Sequence, residues 1–121
     1  MTILLIDPDE YYHQQFSNHM SRHFDITAVK DSGQAQKLLA SECPDMVVME
    51  LLLADGASFT VLEELRKTHG NSAVPVVIFS KIDNLEDIEH TLSLGVSGYF
   101  VKGRDTINDV HNLLLSLNPK S

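Results

Sequence analysis

Four short stretches of this chain gather groups suited to handling a phosphoryl group: Asp7-Pro8-Asp9-Glu10, Glu50, Ser80-Lys81 and Lys102-Gly103. Carboxylates set close together repel, and each raises the others' pKa unless a cation intervenes. A divalent ion or a lysine can supply that cation, and Mg2+ favours one or two carboxylates completed by waters and phosphate oxygens. An acceptor carboxylate, a hydroxyl and a lysine for the equatorial oxygens form a set suited in kind to phosphoryl chemistry.

For these stretches to meet, the elements before them must end at one place. Each follows an apolar run: Ile3–Ile6, Met46–Met49, Val76–Phe79 and Tyr99–Val101, with a weaker fifth run at Ile26–Val29 that suits an edge strand. Nearly continuous aliphatic runs are expected of strands buried on both faces of a parallel sheet. Helical patterns lie between them. Tyr12, Phe16 and Met20 form one stripe. Ser32 can cap a helix over residues 33–42, with Leu38 and Leu39 inward and Pro44 as its stop. Phe59, Leu62 and Leu65 stripe a third helix that ends near Gly70. Asn84 caps a fourth, with Leu85, Ile88 and Leu92 inward and Gly95 closing it. Asp105 or Thr106 caps the last, with Ile107, Val110, Leu114 and Leu117 inside. Alternating strands and helices with short links predict an α/β fold, a doubly wound parallel sheet covered on both faces. The working site of such a sheet lies outside the carboxyl ends of its strands.

The 121 residues suit a single domain over 1–121. Hydrophobic residues make up 43% and the net charge is −8. That balance argues against nucleic-acid binding, which needs clustered Lys and Arg, and points to protein partners. Cys43 is the only cysteine, so an internal disulfide is excluded; beside Pro44 it reads as structural. The first apolar run is broken by Asp7 and lacks a basic flank, so it is neither signal peptide nor membrane span. A cytoplasmic home is the expectation.

The order Ile3-Leu4-Leu5-Ile6-Asp7, Pro44-Asp45-Met46-Val47-Val48-Met49-Glu50, Leu53-Ala54-Asp55-Gly56, Pro75-Val76-Val77-Ile78-Phe79-Ser80 and Leu94-Gly95-Val96-Ser97-Gly98-Tyr99-Phe100-Val101-Lys102 resembles the receiver domains of two-component response regulators. The resemblance runs nearly end to end. It implies a flavodoxin-like, CheY-like sheet of five strands in the order 2-1-3-4-5. It also implies a regulatory role in a phosphorelay rather than an enzyme, with a histidine kinase or an output protein as partner. Docking would use the face made by the fourth helix, fifth strand and fifth helix, in a monomer or weak homodimer.

Several positions depart from the family. The phosphate-accepting aspartate is replaced by Glu50, and the second of two adjacent metal-holding acids falls on Pro8. Lys81 replaces a small residue, while Ala54 and Gly103 replace common prolines. Ser80, Lys102 and the switch-type aromatic Tyr99 match. The resemblance leaves a weak Mg2+ site at Asp7 and Glu50, with Asp9 open as a further ligand or a helix-start residue. Glutamate carries its carboxylate about 1.5 Å further out, and displacements of about 1 Å can cost roughly a hundredfold in rate. Ordinary phosphorylation is therefore expected to be lost or very weak. Glu50 is expected to accept from Ser80 and pair with Lys102, biasing Tyr99 inward. A partly exposed ion pair gives only about 0–1 kcal/mol, whereas about 5.5 kcal/mol is needed to lock a two-state switch.

Two other readings stand beside this one. A working receiver would be phosphorylated weakly at Glu50 or a neighbouring aspartate. A haloacid-dehalogenase-like phosphohydrolase would use Asp7-Pro8-Asp9, but the only acids after Lys102 are Asp105 and Asp109 in a helical pattern. A flavin site is disfavoured because the loop after the first strand has no glycine to cradle phosphate. His19 and His23 have the i, i+4 spacing of zinc-binding pairs, without an evident third ligand. Asp55 reads as a turn residue with Gly56. Asp83, Glu86, Asp87 and Glu89 read as a solvated face.

Overall fold

The computed structural model describes residues 1–68 and 74–117. Five strands and five helices alternate: β1 (Thr2–Ile6), α1 (Glu10–Met20), β2 (Asp25–Val29), α2 (Ser32–Leu39), β3 (Met46–Met49), α3 (Ser58–Thr68), β4 (Val76–Ser80), α4 (Leu85–Ser93), β5 (Gly98–Val101) and α5 (Ile107–Leu117). The strands form one parallel sheet in the order β2-β1-β3-β4-β5. The expected fold is thus observed, with the weakest apolar run at an edge.

Period-two alternation divides the core. Ile3, Leu5, Met46, Val48, Val77 and Phe79 face one side, where Phe16 and Met20 of α1 and Val110 and Leu114 of α5 cover them. Leu4, Ile6, Val47, Met49, Val76 and Ile78 face the other, against Ala35 and Leu39 of α2 and Val61, Leu62 and Leu65 of α3. Both sides are buried, which explains the unbroken aliphatic runs of the central strands.

Backbone pairing continues one residue beyond the strands. Asp7 N–H donates to Val29 O at 3.0 Å, Glu50 N–H to Ile6 O at 2.9 Å and Lys102 N–H to Ser80 O at 2.8 Å. These bonds hold the polar residues that follow the apolar runs side by side. Gly103, at φ 89°, then turns the chain away, and Asp105 fixes that turn by accepting the Val101 N–H at 2.7 Å.

Several local expectations are corrected. Asp31, not Ser32, caps α2, accepting from Gln34 N–H, and the helix ends at Leu39, well short of Pro44. Ser32 instead donates its hydroxyl to Asp55, which also accepts the Ser32 N–H at 3.2 Å. Asp55 therefore ties the β3–α3 loop to α2 besides sitting in the Gly56 turn. In α4 the inward residue is Thr91, while Leu85 is 68% exposed and Leu92 44%. Thr91 can take the buried place because its hydroxyl is satisfied within the helix, donating to Asp87 O at 2.8 Å. Phe59 is exposed rather than inward and meets the His90 ring edge-on. Gly70 lies outside the described residues. Thr106 caps α5 reciprocally with Asp109. Cys43 is free and exposed, so it has no role in the core.

Leu85→Ser should therefore leave unfolding free energy within about 0.5 kcal/mol, whereas Leu65→Ala, at a fully buried site, should lose about 2–5 kcal/mol. Urea denaturation of the two variants checks both figures.

Candidate functional site

Three buried side chains meet at the carboxyl end of the sheet. Asp7 follows β1, Glu50 follows β3 and Lys102 follows β5. The Lys102 ammonium lies 2.6 Å from Asp7 Oδ2 and 3.0 Å from Glu50 Oε1. The Lys102 side chain is only 3% exposed and the two carboxylates 2%. The ion pair is thus buried, and the small energy appropriate to exposed pairs does not apply to it.

The rest of the site satisfies these charges. Glu50 Oε2 accepts the Leu52 N–H at 3.1 Å, and Oε1 accepts the Lys81 N–H at 3.1 Å. The Ser80 hydroxyl also hydrogen-bonds the Glu50 carboxylate. Asp7 Oδ1 accepts the Asp9 N–H at 2.9 Å. Tyr12 presents its ring face to the ammonium, 4.1 Å from centroid to Nζ, and rests edge-on against Phe79. An ammonium held by two carboxylates and an aromatic face is well compensated without water.

The two carboxylates respond differently. Burial opposes ionisation of both. In Asp7 burial wins, and its pKa is raised despite Lys102 and the Asp9 N–H. In Glu50 burial is outweighed by the Ser80 hydroxyl, the Leu52 N–H and the Lys102 charge, so its pKa is lowered. Glu50 is therefore the firmly ionised partner, because more donors aim at it.

Tyr99 stands beside this cluster. Its hydroxyl donates to Ile82 O at 2.8 Å and comes within hydrogen-bonding reach of Ser80. Its ring packs on the core cluster of α2 and α3. Ser80 Oγ also accepts the Ile82 N–H at 3.1 Å. Asp7, Glu50, Ser80, Tyr99 and Lys102 are thus brought together. Asp9 is not: it is the N-cap of α1, with its carboxylate accepting the Tyr11 N–H at 2.9 Å. Its departure also removes the paired aspartates that a dehalogenase-like site would use. The Lys81 side chain is exposed, and only its backbone serves the site.

Asp7 and Glu50 are the two carboxylates that would hold a divalent ion, and here a lysine takes the place between them. Pro8 has no side-chain donor, and Asp9 faces its own helix. Among the described residues no three His, Cys, Asp or Glu side chains are placed to hold a metal. That holds also for His19 and His23, although the fold does bring His111 beside them.

Sequence reasoning missed Tyr12 as a partner of Lys102, having assigned it only to a helical stripe. Its place five residues after Asp7, on the first turn of α1, was the available signal. The Leu52 and Lys81 N–H donors leave no trace in residue type.

Comparison with known proteins agrees with this architecture. The family model for the response regulator receiver domain matches residues 3–113. The chain belongs to that family. It is similar to the regulatory protein VirG of Agrobacterium tumefaciens, 34% identical over 105 residues covering 83% of this chain and 37% of VirG. It is also similar to the transcriptional regulator RpaA of Synechocystis, described as DNA-binding, 25% identical over 104 residues covering 85% of this chain and 43% of that protein. The chain thus spans about two fifths of the length of these curated relatives. Among solved structures, a two-component response regulator from Clostridium difficile superposes with a TM-score of 0.85 at 20% identity, covering 97% of this chain and 94% of that one. A Burkholderia pseudomallei response regulator with a phosphorylated aspartic acid and a calcium ion superposes at 0.79 with 15% identity, covering 98% of this chain and 67% of that one. At these identities the two structures speak for the fold.

Lys102→Met strands two buried carboxylates and should cost about 3–5 kcal/mol. Asp7→Asn should act oppositely at neutral pH. A raised folded-state pKa means that ionised Asp7 costs stability above that pKa, and the cost is relieved as pH falls. The variant should therefore be more stable than the natural chain at pH 7, with the gain fading towards the ordinary value of 3.8. Glu50 contributes stability above its unfolded pKa that is lost as pH falls through its lowered one, so Glu50→Gln should destabilise at pH 7. Urea unfolding across the acidic range separates the three.

Proposed function

We propose that this chain is a receiver module that signals by protein–protein contact without phosphoryl transfer at residue 50. The observation that carries this reading is the saturation of Glu50. Its carboxylate is held by Lys102, Ser80 and two backbone N–H groups, the kind of donors that a phosphoryl group on a shorter side chain would engage. Both Glu50 oxygens already accept from the protein, Oε1 from Lys102 and the Lys81 N–H and Oε2 from the Leu52 N–H, and the space between Glu50 and Asp7 is filled by the ammonium.

Glu50 supplies one negative charge where a phosphorylated group carries about −1.5 to −2, so it is a partial substitute. Its hold on Ser80 supports the inward setting of Tyr99, whose hydroxyl bonds Ile82 O. Regulation here is non-enzymatic, as the receiver family implies. A cytoplasmic setting, alongside histidine kinases or output proteins, goes with it. The face of α4, β5 and α5 is the proposed contact surface, and the exposure of Leu85, Leu92 and Leu94 supports that assignment. A monomer or weak homodimer fits a patch of this kind.

A second reading rests on the convergence of Asp7, Ser80 and Lys102. These would serve a working acceptor if the side chain at 50 were shorter. Incubation with Mg2+ and a small acyl-phosphate donor, read by intact mass, distinguishes the two. The natural chain should gain no phosphoryl group, while Glu50→Asp should gain one if Pro8 is tolerated. A phosphorylated natural chain would overturn the proposal.

A further inference from the structure

We propose that His19, His23 and His111 form a proton-binding seam between α1 and α5, which loosens when the cluster takes up protons. The three imidazoles are brought together only by the fold. His19 belongs to the last turn of α1, His23 follows that helix, and His111 lies in α5. The His111 ring centroid is 5.1 Å from that of His19 and 5.0 Å from that of His23. His111 Nε2 and His23 Nδ1 are 3.2 Å apart.

That nitrogen pair can hold one hydrogen between them. One ring must donate and the other must accept through its lone pair. A first added proton can sit on an outer nitrogen and leave the bridge intact. A second takes the accepting lone pair, so two N–H groups would face each other and the bridge must open. His19 adds a third ring whose charge would act on the same centre.

Around His111 no acidic group among the described residues offsets such charge, while His19 has the carboxyl end of α1 and the Asn108 side-chain oxygen beside it. His111 is 7% exposed and lies against Phe24, with ring centroids 6.2 Å apart. From α5 itself the nearby polar group is Asn108, whose Oδ1 is 3.4 Å from His19 Nε2. Among the described residues the charges that act on His111 come from His19 and His23, and neither is acidic. Burial, then the two neighbouring imidazoles, push its pKa below the ordinary histidine value. The unfolded state therefore protonates His111 before the folded state does, and this residue's contribution to stability is lost as pH falls through the histidine range.

Titration of the histidine ring C–H signals by NMR, with the backbone amides followed in parallel, tests the seam. His111 should titrate below the ordinary histidine value, and amides of residues 16–24 and 107–114 should shift with the same midpoint. The loss of urea stability from about pH 7.5 to about pH 5.5, where histidine titrates, should shrink by half or more in His111→Gln. His23→Gln, which removes the bridge and one neighbouring imidazole while leaving the buried ring in place, should shrink the loss by a smaller amount and move the His111 midpoint towards the ordinary value, and it serves if the first variant does not fold. Ordinary titration of His111, helix amides that ignore it, or an unchanged stability profile in the folded variant would each overturn the proposal.

Discussion

A single ammonium shared by two carboxylates sets the geometry of this molecule's functional end. Lys102 reaches Asp7 and Glu50 from the end of β5, and the two carboxylates lie side by side because β1 and β3 are neighbours. The three charges carry a net −1 in a place nearly closed to water. Backbone N–H groups and the Ser80 hydroxyl offset that excess, and Tyr12 closes the remaining side. Burying such a cluster gives little net stability, and its value lies in fixing one arrangement of the loops around it.

The division of labour between the carboxylates follows from donor count rather than residue type. Glutamate's extra methylene carries its oxygens past the end of β3 to where the N–H groups of Leu52 and Lys81 converge. Asp7, shorter and held by one backbone N–H besides Lys102, remains the strained member. The same methylene that upsets in-line chemistry thus makes residue 50 a good structural anion.

The sheet was legible because buried parallel strands leave dense aliphatic runs, and the site was legible because its polar residues end those runs. Asp7, Glu50, Ser80 and Lys102 were all placed by this argument. What failed were the helix faces. A leucine pattern in α4 could not reveal that Thr91, hydrogen-bonded to its own helix, would take the inward place and leave Leu85 and Leu92 outside. Ser32 looked like a cap, yet Asp31 serves as one and frees Ser32 to bind Asp55 across the loops. The third histidine was illegible for another reason: 88 residues separate His23 from His111, and only the packing of α1 against α5 joins them.

An acyl phosphate is a timer: it forms, it hydrolyses, and its lifetime sets how long a signal lasts. The Glu50 carboxylate is part of the polypeptide and has no such lifetime. On the reading proposed above, nothing at this site decays. The strength of the signal then follows the number of copies of the chain, and its duration follows their synthesis and degradation. Control would pass from a kinase and its opposing phosphatase to the machinery that makes and removes the protein.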